Sequence, residues 1–294
     1  MRRKLIQQGK ATLMVSLPAD WAKAQKLSKG NEVELSHIGN SIIVSPGKIR
    51  TKEAISLSLI DETESSVRTL ITAAYRKGYD VVNITYSSKK QLSLVRTLIK
   101  DNLLGFDILE RTDTKIVIEN ITEPSYDHFE NIFSKVFLSI QQLLDATIEN
   151  TRKGKVVAPH KDIARRIQQY DNFCRRAIMK HALPKQKNEH VWTLLTKLVH
   201  ASRELEHLSD SVTAPLPTIA KYLESCKQHF TYLHNAYLKQ DISLLSPLHA
   251  SEKRLIYKEG YALLKKKPHP ATYHAMLFAR QIYLCTSSIS GMLL

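Results

Sequence analysis

The spacing of apolar side chains changes character twice along the chain. Up to residue 46 it alternates. Thr12-Leu13-Met14-Val15-Ser16-Leu17 reads as a half-buried strand, and Val33 and Leu35 alternate with Glu32, Glu34 and Ser36. Pro18 opens a short helix to about Lys26, where its missing N–H costs nothing, and Asp20 suits the positive helix start. Lys29-Gly30-Asn31 marks a turn. Gly39-Asn40 marks a two-residue hairpin, and Pro46 stops the strand carrying Ile42 and Val44. Between residues 51 and 124 strands and helices take turns. Strand Ala54–Ile60 precedes helix Asp61–Lys77, capped by Gly78; strand Asp80–Tyr86 precedes helix Lys89–Leu104, closed by Gly105. A hairpin of Phe106–Glu110 with Lys115–Ile121 around Thr112-Asp113 completes a small α/β layer.

From Tyr126 onward the period is helical. Phe129, Ile132, Phe133, Val136, Ile140 and Leu143 form one stripe; Ile163, Ile167, Tyr170, Cys174 and Ala177 a second; Val191, Leu195, Leu198 and Leu205 a third. Ile219, Leu223, Cys226, Phe230 and Leu233 make a fourth, Leu248, Leu255 and Ala262 a weaker fifth, and Tyr273, Leu277 and Leu284 a sixth. Breaks near 154–159, 184–188, 215–217, 240–241 and 268–270 leave six helices with short connections, so neighbours run antiparallel in a bundle. The break at Pro215–Pro217 divides them into two triplets, which suggests a duplicated three-helix unit. The fold class is therefore α+β and multidomain: a β-rich head over 1–48, a small α/β domain over 49–125, and a six-helix bundle over 126–294. About 46 residues cannot bury much core alone. Two heads are expected to intertwine and complete one barrel, which predicts a dimer.

Composition narrows the setting. With 43% hydrophobic and 24% charged residues the chain is globular in type, and no run of eighteen apolar residues is present to span a membrane. Arg2, Arg3 and Lys4 are followed by no apolar signal region, and Cys174, Cys226 and Cys285 form neither a C-x-x-C pair nor a disulfide framework. A cytoplasmic location is expected. The net charge is +15, with pI near 9.6. Residues 1–50 carry nine Lys/Arg against three Asp/Glu, a balance of +6; residues 51–126 carry ten against eleven, and the remainder twenty-four against fourteen. Charge alone does not choose among nucleic acid, anionic lipid and acidic proteins. Its position does more. Arg2, Arg3, Lys4 and Lys10 sit on and beside the first strand, and a paired head would present them twice, as a two-fold patch able to neutralise DNA phosphates. Gln7, Gln8 and Arg3 are the candidates for reading bases, since Gln can bridge adenine and Arg guanine.

Two segments resemble known families. Arg3-Lys4-Leu5-Ile6-Gln7, then Leu17-Pro18-Ala19-Asp20-Trp21, then Leu27-Ser28-Lys29-Gly30-Asn31-Glu32-Val33 resemble the SpoVT-AbrB swapped-hairpin family in order and spacing. In the third bundle helix, Arg203-Glu204-Leu205-Glu206-His207-Leu208-Ser209-Asp210 resembles the signature of the PhoU family of phosphate-response regulators. The order of modules is similar to that of archaeal PhoU-like proteins with an AbrB-type head. The resemblance implies a swapped-hairpin β-barrel head that binds double-stranded DNA and forms a homodimer. It also implies a bundle that senses or relays phosphate status, through a phosphate transporter or a signalling protein. The expected function is transcriptional regulation of phosphate uptake. The alternative is a PhoU-type adaptor that regulates a transporter or kinase without touching DNA.

The resemblance also implies a divalent metal or iron on the bundle. Glu206 and Asp210, at i and i+4, would hold it, with Asp171 of the neighbouring helix. Laying the second triplet on the first puts Tyr283 and Ser287 at the two acidic positions, so a cluster built from both repeats is not expected. Catalysis is not expected either. Glu204-x-x-His207 has the spacing of di-iron oxidases, but those need a second such motif on a facing helix and none is present. No Gly-rich phosphate loop or Gly-x-Ser-x-Gly elbow occurs.

Overall fold

The computed structural model describes residues 2–10, 12–38, 41–46, 52–122, 124–180, 183, 185–266 and 268–294, within two compact units, Met1–Thr51 and Lys52–Leu294. In the first, β1 (Ile6–Gln8) pairs antiparallel with β2 (Thr12–Met14), α1 (Ala19–Ala24) follows, and β3 (Val33–Ile38) pairs antiparallel with β4 (Ser41–Pro46). Strand β2 is shorter than the alternation predicts. Met14 lies opposite Ile6, the first residue of β1, so the ladder stops where the partner does. Ile38 faces Ser41, the register a two-residue hairpin requires; the Gly39-Asn40 tip lies outside the described residues. The two ladders are separate, and the described residues of one chain form no closed barrel.

Among the residues of the first unit whose exposure is described none is buried, and Leu13 and Leu35 are 64% and 62% exposed. A two-stranded hairpin without a covered apolar face is marginal in water.

The second unit begins with β5 (Ala54–Ser58), α2 (Glu64–Lys77), β6 (Val81–Thr85), α3 (Lys89–Asn102), β7 (Phe106–Arg111) and β8 (Lys115–Asn120). The sheet order is β5-β6-β8-β7, with β5 parallel to β6 and the other pairs antiparallel. Helix α2 starts later than predicted because Asp61 is spent outside it, accepting from the Thr63 N–H at 2.7 Å. It ends where Gly78 takes φ +97°, a conformation open to glycine. Val82, Ile84, Ile116, Ile118 and Phe106 form one sheet face, closed by Val67, Ile71 and Tyr75 of α2 and Val95 and Leu98 of α3.

The bundle comprises α4 (Tyr126–Lys153), α5 (His160–Met179), α6 (Lys185–Asp210), α7 (Pro217–Lys239) and α10 (Pro270–Leu293). Between α7 and α10 the fifth stripe gives an unbroken helical run that changes type on the way: a 3₁₀ turn at Ile242–Leu245 leads into α8 (Ser246–Glu252), a π-helical stretch Lys253–Gly260 and α9 (Tyr261–Lys266). The Tyr222 hydroxyl of α7 donates to Leu255 O at 3.2 Å inside the π stretch.

An aromatic stack centres the bundle. His234 lies parallel to Phe137 at 4.8 Å, and Phe133, Phe230 and Tyr237 crowd the same ring. Burial holds His234 below the ordinary histidine value of 6.5, and its Nε2 has no hydrogen-bond partner. The folded state therefore protonates at lower pH than the unfolded chain. Stability from this residue is complete above about pH 6.5 and is lost as pH falls through the depressed value. His234→Phe should remove the orphan nitrogen, raise stability by about 1 kcal/mol at neutral pH, and flatten the fall between pH 6.5 and 5. Urea midpoints across that range check it; an unchanged slope contradicts it.

Helix α5 joins the layer to the bundle. Its apolar stripe faces α4 and α6, while Arg176 on another face enters the α/β layer. Arg176 is 1% exposed. Its Nη1 donates to Tyr75 O at 3.1 Å and Tyr79 O at 2.7 Å, its Nη2 to Asp80 Oδ1 at 2.8 Å, and its guanidinium covers the Phe106 ring at 4.9 Å. Burial pushes the Asp80 carboxyl up. Lys180 at 2.6 Å, the Glu53 N–H and Arg176 outweigh that and hold it below the usual range.

Candidate nucleic-acid interface

In the first unit the described basic side chains are exposed. Arg2, Arg3 and Lys4 precede β1 in irregular backbone and Lys10 lies in the turn after Gly9, whose φ is +70°. All four are exposed, and among the described residues none pairs with a carboxylate. The strand thus begins after the basic triplet, and the cations extend from its end. An irregular segment can fit its charges to a phosphate backbone, at an entropic cost on ordering.

Gln7 and Gln8 are neighbours in β1, so they point to opposite faces of the ladder and cannot both read one groove floor. Gln8 sits opposite Thr12, next to the turn that holds Lys10, and Ile6 and Met14 share that side. Gln7 sits opposite Leu13. The polar Gln8–Thr12 end beside Lys10 is the better base-reading candidate. Thr12 was not singled out by sequence; the cross-strand register supplies it.

The bundle carboxylates do not converge. Asp210 accepts from His160 Nε2 at 2.8 Å and pairs with Lys161 Nζ at 3.3 Å; burial pushes it up and these two partners hold it down. Asp171 is 1% exposed and committed to Arg175 at 2.9 Å and Arg76 at 3.0 Å. His160 and Asp171 are eleven residues apart on one helix, a rise of about 16 Å, so Asp171 cannot share an ion with Asp210. Among the described residues no group of three or more His, Cys, Asp or Glu is arranged to hold a metal. Glu206 lines a cleft of about 710 Å³ between α2, α3, α5 and α6, together with Arg203 and His207. The donor set expected for a metal is therefore corrected at Asp171: its charge is spent fastening α2 to α5. Glu204 turns to His274, whose Nδ1 lies 2.8 Å away, and the His207 and His274 rings stand 5.5 Å apart. Tyr283 hydrogen-bonds Glu252, which raises the Tyr283 hydroxyl above its usual value against the opposing pull of Arg280.

Sequence reasoning missed Arg176 and Asp80. One signal was available: Arg175-Arg176 lies inside the apolar stretch Phe173–Ile178, where a cation needs a buried partner.

No described helix is long and apolar enough to cross a membrane. No curated protein and no solved structure matches the chain. Residues 6–52 match the family model of the antidote-toxin recognition protein MazE, a bacterial antitoxin, and the match covers the β1–β4 head.

Proposed function

We propose that this chain is a dimeric DNA-binding regulator whose head grips duplex DNA and whose second unit receives the controlling signal. One observation carries the reading: an N-terminal unit with a +6 balance, four exposed cations with no described carboxylate partner, and no buried residue among those whose exposure is described. Such a unit has apolar surface to offer a second copy and positive charge to offer a polyanion. The match to an antitoxin head supports it. Two heads related by a two-fold axis suit a site with matching symmetry.

The phosphate-homeostasis reading rests on the Arg203–Asp210 resemblance. It makes the bundle the relay between phosphate status and the heads, as a coupling free energy between two sites. A second reading has its own support, because the matched family is described by recognition of a protein. There the head pairs and docks on a protein, and the bundle regulates a transporter or kinase. Genome-wide DNA occupancy in phosphate-replete and phosphate-starved cells separates them. Discrete sites whose occupancy changes with phosphate are expected. Sites indifferent to phosphate would leave DNA regulation and remove the phosphate signal; no sites would favour the adaptor.

A further inference from the structure

The sheet of the second unit has two edges, and they are treated differently. β7 is guarded as edges of monomeric sheets are: it carries Asp107, Glu110 and Arg111, and a bulge between Ile108 and Glu110 bends it. β5, Ala-Ile-Ser-Leu-Ser, carries no charge and no proline, and it pairs with β6 in unbroken register along all five residues. Among the described residues no strand pairs with its other side. A flat, uncharged edge is a template for another strand.

From these we infer that the β5 edge joins the β5 edge of a second copy, antiparallel across a two-fold axis. The occupant follows from the chain itself. The inference rests on the dimer proposed above, in which unit one needs a second copy to cover its apolar residues. Seven residues, 47–53, separate β4 of the head from β5, and a chain of that length reaches at most about 25 Å. Paired heads therefore keep two β5 strands at high local concentration. In an antiparallel pair centred on Ser56 the two strand starts lie roughly 13 Å apart, within reach of both linkers. The result is one continuous eight-stranded sheet, four strands from each chain. It assigns the α/β layer a role: it fixes how the two bundles face each other, because Asp80 holds both the Glu53 N–H, beside β5, and Arg176 of α5.

Cysteine crosslinking of the full chain tests this. Cys174, Cys226 and Cys285 are all buried, so the wild type should remain uncrosslinked under brief oxidation. Ser56→Cys places two thiols at facing positions with Cα atoms roughly 5 Å apart, within disulfide range, and should give a covalent dimer from most chains. Ser58→Cys, on the same face of β5, lies roughly 13 Å from its copy and should not crosslink, while mixing Ala54→Cys with Ser58→Cys chains should. A chain that sediments as a dimer but yields no Ser56→Cys adduct, or yields as much from Ser58→Cys, overturns this edge and leaves the head pairing standing. A chain that sediments as a monomer removes both.

Discussion

Replacing Arg2, Arg3 and Lys4 together with alanine should flatten the salt dependence of duplex binding by about five units of slope. The dimer presents six of these cations, and each phosphate neutralised contributes about 0.9 to the slope. Between 50 and 200 mM salt the wild type should therefore lose on the order of a thousandfold more affinity than the variant. Folding should not change, because all three side chains are exposed and bonded to no described residue. Lys10→Ala, next to the Gly9 turn, should flatten it by about two units more. Fluorescence anisotropy with one labelled duplex across a salt series reads both. A slope unchanged by the triple substitution would mean that the phosphates are held elsewhere, for which the Lys265-Lys266 run ahead of α10 is the first place to look.

The second large effect lies far from the head. Arg176→Ala should destabilise the second unit by about 3 kcal/mol, the lower end of the range for breaking a buried ion pair. The lower end applies because Lys180 still reaches Asp80 at 2.6 Å when the guanidinium is gone. What is lost outright is the bridge to Tyr75 O and Tyr79 O, leaving one buried and one half-buried carbonyl without their donor, together with contact over the Tyr75 and Phe106 rings. Arg176→Lys should recover only part of the loss, since one ammonium cannot reach three acceptors held by a planar fork. Urea unfolding distinguishes weakening from undocking. A lower midpoint with the same slope means the unit still unfolds as one; two separated transitions mean the α/β layer has come free of α5. A shift below 1 kcal/mol would show that the apolar contacts between α2, α3 and α5 suffice without the ion pair.

The parts of the fold legible in sequence are those set by local rules. Gly78 and Gly154 end helices because both take a left-handed φ, and apolar spacing finds α4, α5, α6, α7 and α10. At Gly154 the backbone is also crowded: a Cβ there would stand 2.2 Å from Pro215 N. The fifth helix is found too, but its π stretch is not legible, because the three stripe positions, Leu248, Leu255 and Ala262, lie seven residues apart, a spacing equally open to a helix that widens on the way. The elements of the middle segment are legible but its role is not, and the reason is physical. Its attachment runs through charged residues, Asp80, Arg176, Arg76 and Asp171, and charged residues in sequence read as surface until burial pairs them. Asp171 shows the same limit from the other side. A carboxylate one helix away from Glu206 and Asp210 suggests a ligand, but helix α5 is flanked by α2 as well as α6, and Arg76 reaches Asp171 from that side.

The account depends on two heads presenting their cations to one polyanion. The most direct test is the binding of purified full-length protein to a mixed-sequence duplex over a salt series, with the mass of the complex measured by sedimentation. Two chains per bound duplex, with affinity falling steeply as salt rises, is the predicted result. Protein that stays monomeric, or that leaves the duplex unbound at 50 mM salt, would contradict it.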